Sequence, residues 1–371
     1  MSLATGRTFA LLLSRQPLYP CGSTPWVRAV VDALGLVEQR NGRVLTSVGM
    51  NTWELVLAAT AVRGIPLAIA LPADSHESFE QACAETACRF DLADSTAEFI
   101  RVPTEACPHS GLSPRAARDR YIVRHADILL PLSVRPGGSM ERLTDEAAQR
   151  GVPVEHGFSV RHTVRQRPAG YRIEAGLLTD GAREIADGDF VVHWTRSSAG
   201  PWPGEKKSTY YRAILQSSSY PRDGFATLRA ILDTGRIAAS ARHMPGRIPT
   251  VSFSDHSPAR MLPLMRWRAR YREMSYEPYG IGLTAQRARE LGIRPVTYGS
   301  HSASVPRWLH QSPGVKGDWR AERELRHRGD LSLHSLAPRD IHCFCPTSHE
   351  ARLMRNRFGV QALPLLKSPP A

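Results

Sequence analysis

The run Ser133-Val134-Arg135-Pro136-Gly137-Gly138-Ser139-Met140-Glu141 has the make-up of a phosphate cradle, because it follows a strand-length apolar stretch and opens a helical one that continues through Ala148. Paired glycines let backbone amides approach an anion, and a helix N-terminus adds partial positive charge. The turn Thr46-Ser47-Val48-Gly49-Met50 has the same strand-to-helix setting. Glycine-rich turns also occur with no ligand at all, so each is a candidate only. Further on, His193-Trp194-Thr195 ends an apolar run with three side chains suited to specific contacts. Between Arg260 and Arg272, the residues Arg266, Trp267, Arg268, Arg270 and Tyr271 interleave cations with aromatics. That stretch fits a solvated amphipathic helix, or a nucleic-acid surface combining phosphate contacts with base stacking. His342-Cys343-Phe344-Cys345 with His349 could bring two thiols together, but structural zinc sites use a longer Cys spacing and a second pair. Residues 340–346 therefore read as a core strand, and no metal is expected. No strand-turn-helix Gly-x-Ser-x-Gly occurs, which leaves a hydrolase triad unsupported.

The elements that must position these residues differ between the two halves. Residues 8–13, 43–47, 65–71 and 126–132 read as buried strands, with helices over 26–37 and around 53–62. Strands separated by helices predict a parallel sheet covered on both faces, with ligands beyond the carboxyl ends of the strands. From residue 159 the punctuation changes. Residues 159–190 read as a linker with a small hairpin, and strands are expected at 191–195, 250–254, 279–283 and 295–298. A helix over 223–235 places Phe225, Leu228, Ile231 and Leu232 on one face and Gly235 at its C-cap. The expected fold class is thus an α/β parallel-sheet, Rossmann-like N-terminal domain (1–158), the linker (159–190) and a basic α+β C-terminal domain (191–371).

Composition narrows the class further. The 371 residues are 42% hydrophobic and 22% charged, with glycine and proline dispersed, which disfavours collagen-like, coiled-coil and disordered chains. No apolar run reaches the roughly 18 residues of a membrane helix, no signal pattern opens the chain, and six scattered cysteines make no secreted framework. A cytoplasmic protein with no membrane partner is the expectation. The 48 basic and 35 acidic residues give +13, but this charge is unevenly spread. Through Phe158 there are 15 Arg, no Lys and 17 acids, a net of −2; from Ser159 the net is +15. Such asymmetry suits a polyanionic partner for the basic half, and equally a general preference for Arg over Lys.

The segment Arg118-Asp119-Arg120-Tyr121-Ile122-Val123-Arg124-His125-Ala126-Asp127-Ile128-Leu129-Leu130, leading into Pro136-Gly137-Gly138-Ser139-Met140-Glu141, resembles the SLOG superfamily. That group includes lonely-guy-type phosphoribohydrolases, the DNA-processing protein A family and nucleotide-sensing domains of bacterial defence systems. The resemblance, over about residues 6–156, implies a nucleotide ligand held near Ser47, Gly49, Arg120, Gly137, Gly138, Ser139 and Glu141. In the hydrolase branch Arg120 and Glu141 match the catalytic pair, although Ser139-Met140-Glu141 departs from the Gly-Thr pattern of that branch.

The order His193-Trp194-Thr195, Ile231-Leu232-Asp233-Thr234-Gly235-Arg236-Ile237, Val251-Ser252-Phe253-Ser254 and Glu322-Arg323-Glu324-Leu325-Arg326 is similar to ADP-ribosyltransferase-type domains. DNA-modifying toxins and abortive-infection proteins are the nearest kinds, the latter also through Tyr279-Gly280-Ile281-Gly282-Leu283 and Gly292-Ile293-Arg294-Pro295-Val296-Thr297-Tyr298. This resemblance spans about residues 190–366, and a polar insertion after Thr195 departs from it. It implies NAD as substrate, with Glu324 stabilising the charge that develops on the ribose as nicotinamide leaves. Glu322, two residues earlier, would share a strand face with Glu324 and orient the acceptor. His193 and Thr195 would hold the other ribose and the amide, Tyr279 would stack on nicotinamide, and Arg242 or Arg247 would pair with the pyrophosphate. An alternating charge run around Glu322 and Glu324 equally fits a solvated face.

Together these readings predict a defence or toxin-like protein in which nucleotide binding in the first domain is coupled to an NAD-using effector in the second. Nucleic acid is a candidate partner of Arg266, Trp267, Arg268 and Arg270, and a homo-oligomer is open. The competing readings are a non-catalytic nucleic-acid-binding protein of the DNA-processing type, and a nucleoside-monophosphate phosphoribohydrolase.

Overall fold

Strand β1 (Thr8–Leu13) is buried at every position, as a strand covered on both faces must be. The computed structural model describes residues 6–93, 97–103, 113–163, 175–242, 244–268, 272–299, 304–311 and 319–367. After β1 come α1 (Pro25–Gln39), β2 (Arg43–Thr46), α2 (Asn51–Arg63), β3 (Leu67–Ala73), α3 (His76–Phe90), β4 (Ala97–Pro103), α4 (Pro114–His125), β5 (Ile128–Ser133) and α5 (Ser139–Gln149). The sheet is parallel throughout, in the order β4-β3-β2-β1-β5. Helix α1 starts at Pro25, where a missing N–H costs nothing, and buries Trp26, Val30, Ala33, Leu34 and Val37 along one stripe. Ile122 and Val123 of α4 with Met140 and Ala147 of α5 cover the opposite face. The chain leaves β1 toward β2 and later returns to β5 on its other side, so β1 and β5 form the switch point of the sheet.

The remaining elements are α6 (Asp180–Glu184), β6 (Phe190–Trp194), α7 (Lys207–Gln216), α8 (Gly224–Thr234), β7 (Arg236–Ile237), β8 (Thr250–Ser254), α9 (Pro258–Met261), β9 (Trp267–Arg268), β10 (Glu273–Met274), β11 (Gly280–Thr284), α10 (Ala285–Glu290), β12 (Arg294–Pro295), β13 (Thr297–Tyr298), β14 (His310–Gln311), β15 (Glu324–Arg328), β16 (Leu331–Ser332), β17 (His342–Cys345), α11 (Ser348–Phe358) and β18 (Gln361–Pro364). Seven of these strands form a mixed sheet in the order β12-β15-β8-β6-β11-β17-β18, antiparallel except for β17 and β18. Asp223 caps α8 through the Ala226 N–H, and Gly235 closes it in the left-handed conformation, as the sequence pattern requires. Gly280 and Gly282 have no substitute in β11, since a Cβ at either would lie 2.7 Å from Val192 or the Phe344 ring. Cys343 and Cys345 sit in the core, where burial pushes the Cys343 thiol up to about 12.

The chain divides into two compact units, Met1–Pro168 with Gly204–Pro221, and Ala169–Pro203 with Arg222–Ala371. The polar insertion after Thr195 is therefore partly a return to the first unit, where α7 packs Tyr210, Tyr211 and Ile214 into the core beside α1 and α2. Expected hairpin structure at 159–190 is replaced, among the described residues, by a 3-10 turn (Ala175–Leu177) and α6; the alternating stretch at 171–174 lies outside them. Among its described residues the basic run at 260–272 shows no amphipathic helix. Its described part contains the short helix α9 and one strand of the β9–β10 pair, and Arg270 and Tyr271 lie outside the described residues. Among the described residues no helix is long and apolar enough to cross a membrane.

Buried polar contacts at Glu54 help tie α7 to the rest of the first unit. Glu54, 6% exposed, is ion-paired with Lys207, accepts the Tyr211 hydroxyl at 2.9 Å and accepts the Gly49 N–H at 3.0 Å. Glu54→Ala leaves the half-buried Lys207 without its counter-charge and the buried Tyr211 hydroxyl without its acceptor, and is expected to destabilise this unit by about 3 kcal/mol in chemical denaturation.

Candidate functional site

Strands β6 and β8 are neighbours in the mixed sheet, yet a single pair, Val192 with Ser254, joins them. By contrast β6 pairs with β11 over five residues, and β8 with β15 over five. Beyond Val192 and Ser254 the two strands part, and the residues on either side of the gap line a cleft of about 700 Å³. His193 from β6 and Thr195 just after it, Ser252 from β8, Glu322 and Glu324, Arg242 and Arg268 all line it. A volume of this size lies within the roughly 300–1,000 Å³ of small-molecule and cofactor sites.

The acidic side is built around a buried ion pair. Glu324 Oε1 accepts from Ser252 Oγ at 2.6 Å and from Arg326 Nε at 2.8 Å, and Oε2 accepts from Arg326 Nη2 at 2.8 Å. Arg326, 2% exposed, also donates to the Trp308 carbonyl and to Gln311 Oε1. A carboxylate has about four acceptor directions, so three bonds fix its orientation and leave one on Oε2 for a ligand hydroxyl. Glu322 reaches the cleft by another route. It ends the 3-10 turn Trp319–Glu322, and Arg323 takes φ +44°, so the expected alternation along one strand does not place it. Its oxygens accept from Arg268 Nη2 at 2.7 Å and from the Tyr276 hydroxyl at 2.9 Å. Burial, with Glu324 nearby, holds its carboxyl pKa above the ordinary carboxylate value. Burial and Glu322 hold Tyr276 protonated, well above the ordinary phenol value.

On the opposite strand His193 Nδ1 lies 2.9 Å from the Ser252 carbonyl. Only a protonated Nδ1 bonds a carbonyl, and burial lowers the imidazole pKa, so the ring is neutral at pH 7 with Nε2 as an acceptor. The backbone adds a further pair of groups. Thr195 gives its N–H to the Tyr279 carbonyl and accepts the Glu277 N–H, both toward β11. Alternation then turns the N–H and C=O of Trp194 toward the gap. Arg196 and Arg242 flank one carboxylate, Glu273, at 3.3 and 3.4 Å, which leaves a net positive rim suited to phosphate oxygens.

Several expected site residues stand elsewhere. Tyr279 is 4% exposed, packs near Phe225 and donates to Glu350 Oε1 at 2.8 Å; the cleft tyrosine is Tyr276. Arg247 is exposed at φ +54° in a turn and does not line the cleft. Arg268 is committed to Glu322, while Arg266 is exposed and Trp267 half-buried. In the first unit the amide of Gly137 is taken by Glu141 Oε2 at 2.6 Å, and that of Gly49 by Glu54. Ser47 Oγ donates to the Ala70 carbonyl at 2.6 Å, Gly138 is the N-cap of α5 and Ser139 its first residue. Arg118, not Arg120, is the buried arginine that reaches the β2 turn, donating to the Val48 carbonyl at 2.8 Å. Residues missed by sequence reasoning include Tyr276, Arg326, Arg196 and Ser252; only the Glu-x-Arg spacing of Glu324 and Arg326 gave a signal.

Comparison of the chain with protein-family models, with curated proteins and with solved structures yields no match.

Glu277, 2% exposed, carries the cleft loop by accepting the Ser197 N–H at 3.0 Å, and burial raises its carboxyl above the usual range. A raised folded-state pKa means that stability falls as pH rises from the ordinary carboxylate range through the raised value. Glu277→Gln removes that titration, so its melting temperature relative to wild type is expected to climb across the same window.

Proposed function

We propose that the second unit binds NAD where β6 and β8 part and breaks its nicotinamide–ribose bond, as an ADP-ribosyltransferase or NAD glycohydrolase. The observation that carries this reading is the convergence of His193, Thr195, Glu322, Glu324 and Arg242 on one cleft, from three separate stretches of sequence. When the glycosidic bond breaks, nicotinamide leaves with the electron pair and positive charge develops at the ribose carbon. A carboxylate already fixed by Arg326 and Ser252 stabilises that charge without reorganising, and its remaining lone pair takes a ribose hydroxyl. Trp194 supplies one backbone donor and one acceptor, which match the carboxamide of nicotinamide. His193 Nε2 accepts from a ribose hydroxyl, and Arg196 and Arg242 meet the pyrophosphate. The acceptor, water or a nucleophile of a macromolecule, attacks the same carbon and gives its proton to Glu322, whose raised basicity suits that role.

For the first unit, Rossmann-like in the order of its elements and similar to SLOG domains in sequence, we propose nucleotide binding at the switch point. Support comes from Gln16 Oε1 and Ser133 Oγ, buried polar atoms at the carboxyl ends of β1 and β5 without hydrogen-bond partners. The phosphoribohydrolase reading gains less from the geometry, since Glu141 is held by Gly137 and the arginine at the β2 turn is Arg118. In this scheme a nucleotide held by one unit governs a defence or toxin-like activity of the other.

Incubation of the full chain with NAD is expected to release nicotinamide, and Glu324→Gln is expected to slow release on the order of 100-fold with the fold retained. No release from wild type rejects the reading; equal rates in the variant reject the role of Glu324.

A further inference from the structure

We infer that Trp202 is the stacking platform for the adenine base of the dinucleotide, an inference that rests on the NAD reading above. The same cleft that holds Glu324 and His193 is lined by Trp202 and by Thr227 of α8. The indole is fixed in place before any ligand arrives. Its Nε1–H donates to Thr227 Oγ1 at 3.2 Å, and the guanidinium of Arg222 stands 4.1 Å from the ring centroid. Arg222 is itself 6% exposed, so the cation on that side of the ring is part of the protein interior. Pro201 and Pro203 flank the tryptophan and lock the backbone on both sides. The loop is tied down further by the Ser198 N–H on the Arg222 carbonyl at 2.9 Å and by the Ser197 N–H on Glu277.

An indole held this way loses little freedom on binding, which is the condition for a stacking contact to show up as affinity. The ligand chemistry follows from the groups around it. The β6–β8 gap supplies the carboxamide-sized donor and acceptor and the carboxylates for a ribose, while the Trp202 wall offers a flat aromatic beside a cation. A purine fits that wall, and the pyrophosphate-directed Arg196 and Arg242 line the same cleft. Stacking of one base on one aromatic ring contributes roughly ten- to hundred-fold in affinity.

Calorimetric titration of the full chain with AMP and, separately, with nicotinamide mononucleotide tests the assignment in wild type, Trp202→Phe and Trp202→Ala. The expected result is a ten- to hundred-fold loss of AMP affinity in Trp202→Ala, substantial retention in Trp202→Phe, and unchanged binding of nicotinamide mononucleotide in all three. AMP binding that does not depend on Trp202, including binding confined to the first unit, overturns the inference. Equal loss of both ligands also overturns it, because that marks a general collapse of the cleft. The two readings fail separately: Trp202-dependent AMP binding without nicotinamide release leaves the platform and removes the cleavage reaction, whereas nicotinamide release with an unaltered KM in Trp202→Ala does the reverse.

Discussion

A sheet that opens between two of its central strands must find other partners for the backbone groups that the missing ladder would have used. Past the pair of Val192 and Ser254, this protein meets that requirement piecemeal. Thr250 exchanges both of its backbone bonds with Ser240, and the Ser252 carbonyl accepts a hydrogen bond from the His193 Nδ1–H. Alternation turns the N–H and C=O of Trp194 toward the gap as well. The cleft is thus a place where backbone polar groups point toward a ligand. His193 bridges the two strands through the Ser252 carbonyl, and the Glu324–Arg326 pair of β15 fixes the Ser252 hydroxyl beside it.

Much of the positive charge of the second unit is spent locally. Arg326 holds Glu324, Arg268 holds Glu322, and Arg196 and Arg242 share Glu273. These pairings explain why a basic stretch of sequence need not be a polyanion-binding surface. They also give the acidic residues fixed geometry, since an unpaired carboxylate at such depth would be costly. At the cleft rim, two guanidiniums meet one carboxylate and leave a local positive charge.

How far the sequence carries depends on whether a feature is local. The parallel strands, the caps of α8 and the strand containing His193 follow from hydrophobic runs and cap residues, and all are legible. Glu322 and Glu324 were legible as a pair, but the reason offered for it was wrong: Arg323 at φ +44° breaks the alternation, and side-chain partners restore the convergence. Choosing between Tyr279 and Tyr276 could not be decided locally, because only two residues lie between them and long-range partners tell them apart: Tyr279 meets Glu350 of α11, Tyr276 meets Glu322. The return of α7 to the first unit depends on a long-range ion pair, Glu54 with Lys207, which no local pattern announces. Nor does a Pro-Trp-Pro loop declare that its indole will be pinned by Arg222.

The central claim is that the gap between β6 and β8 receives the nicotinamide end of NAD. A crystal structure of the chain with an NAD analogue whose glycosidic bond is replaced by carbon tests it most directly. The carboxamide is predicted to bond the Trp194 backbone at about 3 Å, with a ribose hydroxyl on Glu324 Oε2 at hydrogen-bond distance. An analogue bound with its nicotinamide outside the gap, or a cleft that stays empty at saturating analogue, would contradict the account.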